Sequence, residues 1–149
     1  GLASAEPPFG RFERIEVDGV GVVLTLAKNT VGLNALIELL ATLEDIDLLV
    51  LVDDGESGGR DLDWFAEAEL ARLKRLAASV TIGGARAHEA AGALGGSPFV
   101  FESIEEALAH AVAGGVAHQR EVFVISTYWA LVELREIVAE QGHAARYWA

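Results

Sequence analysis

The chain has 149 residues, of which 52% are hydrophobic and 7% aromatic. This length and composition are typical of one globular domain and exclude a disordered chain. The net charge is −12, from 23 acidic and 11 basic residues. It argues against partners that need a basic protein face, namely nucleic acids and anionic membrane surfaces.

Cysteine and methionine are both absent from the sequence. Without cysteine, the chain has no disulfide, no thiolate nucleophile and no cysteine zinc site. No apolar run approaches the ~20 residues of a membrane helix, and no signal peptide is visible. We therefore expect a cytoplasmic protein without membrane insertion. A first residue other than Met indicates a processed or excised chain. We expect a linker or tail at residues 1–8 and one domain at 9–149.

The predicted domain opens with a β-hairpin, because two apolar stretches flank Asp18-Gly19, a strong signal for a tight turn. After the hairpin, strands alternate with helices. We predict strands at 46–52, 79–83, 99–101 and 121–126, and helices at 34–43, 66–78, 86–94, 103–113 and 128–141. Asn34 is the expected N-cap of the first helix, and Ser103 with Glu106 forms a capping box at the fourth.

Apolar strands that alternate with helices are typical of a parallel sheet covered on both faces. The sequence therefore predicts an α/β fold with a mostly parallel sheet, helices on both faces and an N-terminal hairpin. We expect Leu49 and Val124 at its buried centre. Ligands of such sheets bind at the carboxyl ends of the strands. Three strand ends are therefore candidate sites, at residues 27–30, 53–61 and 126–128.

Two of these strand ends carry side chains suited to an anionic ligand. Lys28, one of two lysines in the chain, and Asn29 stand where a helix is expected to begin. A cation and an amide beside a helix N-terminus can hold a carboxylate or a phosphate. Thr127 and Tyr128 add two hydroxyls after the last strand. We predict that these four residues bind substrate; the alternatives are a solvated loop and a helix cap followed by a core aromatic.

The third strand end is acidic, with Asp53, Asp54, Asp61 and Asp63 around Arg60. Clustered carboxylates repel one another unless they are paired or solvated. No His or Cys stands beside them in the sequence, so a catalytic aspartate here would need partners from elsewhere. The alternative is a solvated turn that ends in an N-cap aspartate.

Several common motifs do not occur in the chain. It has no P-loop, and Gly83-Gly84 lacks the rest of a dinucleotide fingerprint. The four histidines form no H-x-x-x-H or H-E-x-x-H pair. We therefore predict that this chain holds neither a metal nor a cofactor.

Five segments nevertheless occur together in a characteristic order: FGRFERIEV, LAKNTVGLNALIELL, GGRDLDWF, GGARAHEAAGAL and VISTYWALVELREI. They resemble the C-terminal domain of the MurT family, the Mur-ligase-like subunits of lipid II isoglutaminyl synthase. The resemblance extends from about Phe9 to Arg135 and implies a Rossmann-like domain of the Mur ligase C-terminal type. One departure is Thr30, which stands where family members usually have proline.

The resemblance also implies an activity for the full-length protein. In this family a middle domain uses ATP and Mg²⁺ to activate the α-carboxylate of D-glutamate in the lipid II stem peptide. A separate glutamine amidotransferase, GatD, supplies the ammonia, and the product carries D-isoglutamine. The ATP-binding middle domain and the family's zinc-ribbon cysteines are not in this chain. The resemblance thus implies a domain that docks on GatD and closes over the ligase site, without activity of its own.

GatD-type glutaminases have a Cys and a His but are thought to lack the third member of the triad. The resemblance implies that the C-terminal domain donates an aspartate, and motif matching makes Asp61 the expected catalytic residue, with Asp54 and then Asp63 as runners-up. The carboxylate would accept a hydrogen bond from the His ring and stabilise the imidazolium. Two alternatives stay open: a stand-alone acidic Rossmann-type binding or regulatory module without catalysis, and a nucleotide-binding domain of unrelated function.

Overall fold

The computed structural model describes residues 13–53 and 62–143, which form a six-stranded sheet flanked by helices. The elements in chain order are β1 (Glu13–Val17), β2 (Val20–Leu26), α1 (Thr30–Leu40), β3 (Ile46–Leu51), α2 (Asp63–Ala66), α3 (Leu70–Leu76), β4 (Ser79–Gly83), α4 (Ala87–Leu94), β5 (Phe99–Phe101), α5 (Ile104–His118), β6 (Glu121–Ser126) and α6 (Tyr128–Glu140). The expected tail at 1–8, Asp54 and the expected catalytic Asp61 lie outside the described residues.

The N-terminal hairpin is confirmed: β1 and β2 pair antiparallel around the turn at Asp18-Gly19. Both turn residues have positive φ, 53° at Asp18 and 84° at Gly19. A two-residue turn of this kind matches the twist of the strands, and it requires residues that accept positive φ. The Asp-Gly pair therefore determines the register of the hairpin.

The sheet has the order β1-β2-β6-β3-β4-β5, and the five strands from β2 to β5 in this order are all parallel. The last strand in sequence, β6, thus lies at the centre between β2 and β3. Leu49 on β3 and Val124 on β6 are fully buried. The predicted fold class is confirmed.

Helices cover both faces of the sheet. On one face α1, α2, α3 and α4 pack against side chains that include Val50 and Phe123. On the other face α5 and α6 pack against Leu49 and Val124. Burying a side chain of this size contributes about 2 kcal/mol to stability. None of the helices in the described part of the chain combines the length and the apolar character needed to span a membrane.

Three buried polar side chains of the sheet form hydrogen bonds. The Thr25 hydroxyl donates to the Val124 carbonyl over 2.7 Å, and the Ser126 hydroxyl donates to the Thr25 carbonyl over 2.9 Å. Near the amino end of β3, the buried carboxylate of Asp47 accepts a hydrogen bond from Nε of Arg120 over 2.8 Å. Arg120 precedes β6, so this ion pair joins β3 to the turn between α5 and β6. Paired in this way, the buried charge of Asp47 is tolerated.

Close packing explains the two glycines at the end of β4. A Cβ on Gly83 would lie 2.4 Å from the Cβ of Ala107 on α5. A Cβ on Gly84 would lie 2.2 Å from the Val52 carbonyl oxygen, and Gly84 has a φ of +114°. Only glycine fits this approach of the backbones. The pair therefore serves the sheet and its helices rather than a phosphate group.

Three predicted helices need correction. The helix expected at 66–78 is shorter, α3 at Leu70–Leu76, and the one-turn helix α2 at Asp63–Ala66 lies before it. Asn34 is not an N-cap, because α1 already begins at Thr30 with Asn29 as its cap. The helix expected to end at residue 113 continues as α5 to His118, although Ser103 caps it as predicted by accepting the Glu106 N–H over 3.1 Å.

Candidate functional site

The carboxyl ends of β2, β6 and β3 lie side by side at one edge of the sheet. Ladder hydrogen bonds continue past the strands, from the Ala27 N–H to the Ser126 carbonyl (2.9 Å) and from the Thr127 N–H to the Leu51 carbonyl (3.0 Å). Lys28, Thr127 and Asp53 follow these ends by one or two residues. They are therefore neighbours at one edge, which we call the carboxyl edge.

The chain leaves this edge toward both faces of the sheet. After β2 and β3 it enters α1 and α2 on one face, whereas after β6 it enters α6 on the other. Adjacent strands whose following helices lie on opposite faces form a topological switch point, where α/β sheets open a ligand crevice. The end of β6 is flanked by such neighbours on both sides. The residues predicted to bind substrate thus lie where this fold class binds ligands.

Lys28 and Asn29 lie between β2 and the N-terminus of α1, and both are exposed. The amide oxygen of Asn29 accepts the Gly32 N–H over 2.7 Å and caps α1. Within the described residues, Lys28 forms no ion pair and the amide nitrogen of Asn29 forms no hydrogen bond. A cation, two amide N–H donors and a helix N-terminus are suited to an anionic group.

Thr127 and Tyr128 lie between β6 and α6. Thr127 occupies the N-cap position, but its hydroxyl does not cap α6. The Thr127 hydroxyl instead accepts a hydrogen bond of 3.3 Å from the backbone N–H of Asp53, which follows the neighbouring strand β3. Tyr128 is 52% exposed, with its ring edge-on to Trp129 at 4.9 Å. It is therefore not a core aromatic, and its hydroxyl can take part in surface recognition.

Of the four aspartates that follow β3, the structure describes the first and the last. Asp53 follows β3 and is half-buried, and Asp63 is the exposed first residue of α2. Asp54 and Asp61 lie between them in the chain, outside the described residues. Among residues 13–53 and 62–143, no three His, Cys, Asp or Glu side chains come together as a metal site.

Two exposed apolar side chains at this edge were missed from the sequence. Val31 in the first turn of α1 is 79% exposed, and Trp129 in the first turn of α6 is 42% exposed. Both lie off the buried apolar stripe of their helix. This departure from the helical period is the signal that could have found them.

Arg86, at the start of α4, also lies at the carboxyl edge and was read only as part of a helix. Its backbone N–H donates to the Val52 carbonyl over 3.1 Å. Its guanidinium contacts the Glu89 carboxylate at 2.6 and 2.9 Å. Glu89 thus pairs with Arg86 within the first turn of α4.

Comparisons with known proteins point to one ligase family. The family model described as MurT ligase C-terminal matches residues 26–131, from the end of β2 into α6. Subunit MurT of the lipid II isoglutaminyl synthase (glutamine-hydrolyzing) of Streptococcus pneumoniae (strain ATCC BAA-255 / R6) is 26% identical over 146 residues. The alignment covers 95% of this chain and 33% of that protein, so the chain spans about one third of its relative.

A solved structure shares the fold. A crystal structure of MurF from Acinetobacter baumannii superposes with a TM-score of 0.64 at 18% identity, over 93% of this chain and 31% of the MurF chain. At this identity the likeness establishes a Mur-ligase-like fold alone. The matched family model, by contrast, covers well over half of the chain and includes all three strand ends of the carboxyl edge. The chain therefore belongs to the family of MurT ligase C-terminal domains.

Proposed function

We propose that this chain acts as the C-terminal domain of a MurT-type ligase that amidates D-glutamate of lipid II to D-isoglutamine, together with a GatD-type glutaminase. Family membership carries the proposal, since the matched range contains the carboxyl edge. The Streptococcus pneumoniae relative is described as a glutamine-hydrolyzing synthase subunit, which fits a partner that hydrolyses glutamine. The domain has no activity as an isolated chain, and it works in the cytoplasm.

ATP and Mg²⁺ belong to the remainder of the ligase. The chain has no P-loop, and Gly83-Gly84 packs against Ala107 and Val52. The described residues also bring no metal-ligating cluster together. We therefore assign to this domain the binding and orientation of substrate.

The carboxyl edge has the chemistry of a carboxylate-binding surface. Lys28 supplies a positive charge and Asn29 supplies two amide donors beside the N-terminus of α1. The hydroxyls of Thr127 and Tyr128 stand at the next strand end. We assign these four residues to the stem peptide when the domain closes over the ligase site.

The test of this assignment is Lys28→Ala in a ligase that carries this domain. We expect the amidation rate to fall at least tenfold, as is reasonable for a lost charge-assisted contact of about 1.5–3 kcal/mol. Glutamine hydrolysis by the partner should stay within twofold of the wild type. Lys74→Ala is the matched control, because Lys74 is the other lysine and lies on α3 against Gly95 and Gly96. Equal loss of both activities in Lys28→Ala would contradict substrate binding and indicate a folding or docking defect.

For glutamine hydrolysis we propose that Asp61 completes the triad of the partner. Asp61→Asn keeps the shape of the side chain and removes its charge. Docking should be unchanged, while glutaminase turnover should fall by orders of magnitude, since a triad aspartate contributes up to about 10⁴-fold to kcat. Asp54→Asn and Asp63→Asn are the controls. If one of these loses turnover while Asp61→Asn keeps it, the catalytic aspartate is misassigned; if none matters, no aspartate is donated to the partner.

We propose that the glutaminase docks at the carboxyl edge, because the donated aspartate must reach the partner's histidine. The exposed apolar side chains Val31 and Trp129 lie there. In a pull-down of this chain with the GatD-type subunit, Trp129→Ser should weaken capture about tenfold or more, as for an aromatic interface anchor. Val116→Ser is the control, since Val116 is also exposed but lies on α5 near its carboxyl end. No capture by the wild-type chain would favour a stand-alone binding module.

A further inference from the structure

The longest helix in the described part of the chain, α5, is apolar on its exposed side as well as on its buried side. The buried side, which includes Leu108 and Val112, packs against the sheet. Between Glu106 and His118 the helix has no Asp, Glu, Lys or Arg, although 23% of the chain is charged. A helix that is apolar on all sides is normally buried. The exposed side of α5 therefore has the character of a covered surface.

The exposed apolar side of α5 continues onto the neighbouring edge strand, β5. The half-buried ring of His110 on α5 packs on the rings of Phe99 and Phe101, with centroids 4.4 and 5.2 Å apart. Phe99 is 52% exposed, and Val116 on α5 is 54% exposed. Contiguous apolar groups that join two elements are typical of interaction sites, unlike singly exposed residues. We use the name α5 surface for Phe99, His110, Ala109, Ala113, Val116 and Ala117.

The middle of the α5 surface has the shape to contact another helix. Ala109, Ala113 and Ala117 are exposed and follow one another at intervals of four residues, so they form one row along α5. Rows at this spacing pack into the grooves between the same rows of a second helix, and the short alanine side chain lets the two helices approach closely. An identical α5 offers the matching row and groove.

The charged residues at the two ends of α5 favour one orientation of such a pair. Glu105 and Glu106 lie in the first turn, whereas His118 ends the helix and Arg120 follows it. Two parallel copies would bring the four carboxylates together, and like charges that face each other are unfavourable. In an antiparallel pair the carboxylates of one copy face the end that carries His118 and Arg120 in the other copy. The opposed helix dipoles add to this preference.

We infer that the α5 surface joins two copies of this chain in a symmetric dimer, with the two α5 helices antiparallel and closest at Ala113. A twofold axis through this point brings Ala113 next to its own copy. It also places Ala109 opposite Ala117 of the other copy, because both lie four residues from the axis. A 15-residue helix is only about 22 Å long, so the interface is small and the dimer reversible.

The first test measures the mass of this chain by sedimentation equilibrium over about a hundredfold range of concentration. The wild-type mass should rise from the 15.8 kDa of one chain toward twice that value. Ala113→Arg should stay monomeric throughout, because two guanidinium groups would meet at the axis, whereas arginine preserves the helix. Ala93→Arg is the matched control, since Ala93 is exposed on α4 at the opposite face of the sheet. It should associate as the wild type does.

The second test uses the absence of cysteine from the chain, so that each introduced thiol is unique. Ala113→Cys should oxidise to a disulfide-linked dimer at least about tenfold faster than Ala93→Cys, because thiols beside the axis have a high effective concentration. Ala109→Cys alone should cross-link slowly, since its two copies lie about 12 Å apart along the helices. A mixture of Ala109→Cys and Ala117→Cys should cross-link rapidly. Faster cross-linking of Ala109→Cys alone than of the mixture would overturn the antiparallel arrangement.

The inference does not depend on the proposed function, and the glutaminase is the competing occupant of the α5 surface. Ala113 lies in the middle of α5, away from the carboxyl edge where the helix begins. Ala113→Arg, like Val116→Ser, should therefore leave capture of the GatD-type subunit unchanged. A wild-type chain that stays at 15.8 kDa at every concentration would overturn the dimer, and loss of capture in Ala113→Arg would assign the surface to the glutaminase instead.

Discussion

Asn29 caps a helix with one atom of its side chain and is proposed to bind substrate with another. Its amide oxygen caps α1 by accepting the Gly32 N–H, and its amide nitrogen is proposed to bind the substrate carboxylate. The cap is a property of the chain alone, whereas carboxylate binding requires the rest of the ligase. A substitution that alters one atom can therefore separate them.

We predict that Asn29→Asp leaves the free energy of unfolding within about 0.5 kcal/mol of the wild type, because Asp caps helices as well as Asn does. The same variant should lower the amidation rate strongly, since it loses both N–H donors and repels a carboxylate. Asn29→Ala should lose about 1 kcal/mol of stability through loss of the cap. Urea denaturation and the amidation assay measure the two effects. Equal amidation in Asn29→Asp and the wild type would exclude Asn29 from substrate binding.

Gly84 permits a contact that no other residue allows. Its φ of +114° and the 2.2 Å approach of a Cβ to the Val52 carbonyl predict that Gly84→Ala destabilises the fold by at least about 3 kcal/mol. The comparison is Gly92→Ala in α4, where a Cβ would meet nothing within 4 Å. There we expect a gain of about 0.5–1 kcal/mol from helix propensity. Thermal unfolding of both variants checks the pair, and a neutral Gly84→Ala would contradict the packing described.

Sequence analysis does not find the hydrogen-bond partners of residues whose partners come from distant segments. Asn34 has the chemistry of a cap and was assigned to its own helix, but its amide oxygen accepts the Glu69 N–H. The Thr127 position was predicted, whereas its bond to Asp53 depends on β6 lying beside β3. Local pattern finds a polar residue at a strand end, and tertiary contact determines what that residue bonds.

At the scale of elements, strands were predicted more accurately than helices. The bounds of β4, β5 and β6 are those expected, because each is a short, largely apolar run followed by a glycine or a polar residue. The helix expected at 66–78 begins only at Leu70, and the separate helix α2 before it places Phe65 in the same core cluster as Leu70. α5 continues through Gly114-Gly115, and glycine at 115 permits its close packing, since a Cβ there would lie 2.8 Å from the Arg120 carbonyl oxygen and 2.9 Å from Val20.

The ion pair of Asp47 and Arg120 joins β3 to the entrance of β6, and its two members differ in exposure. The Asp47 side chain is 2% exposed and that of Arg120 is 23% exposed. Arg120→Met should therefore cost about 3 kcal/mol, because it leaves a buried carboxylate without its partner. Asp47→Asn should cost less, roughly 1–2 kcal/mol, since the remaining guanidinium reaches water.

A double-mutant cycle by urea denaturation measures the coupling between the two side chains. The double variant Asp47→Asn/Arg120→Met should lose less stability than the two single variants together. If the losses simply add, the two side chains do not stabilise each other across this junction.

At the scale of the whole molecule, the acidic surface and the missing P-loop bear on nucleotides. With a net charge of −12, the chain repels polyphosphates in general. We predict no measurable binding of ATP to the isolated chain in a calorimetric titration with Mg²⁺ present. Micromolar binding would instead support a nucleotide-binding domain of unrelated function. The full-length ligase, titrated in the same way, is the positive control.

Because β6 is central in the sheet and last in the chain, the sheet can be completed only late in synthesis. Val22 on β2 pairs with Val122, and Ile46 on β3 pairs with Glu121, so the middle of the sheet stays open until β6 has left the ribosome. Until then, β2 and β3 each present an apolar edge with unpaired backbone groups, which favours aggregation. Contacts between such distant residues also slow folding. The domain therefore gains its stability late, and a nascent chain that stalls before residue 121 depends on chaperones to remain competent for folding.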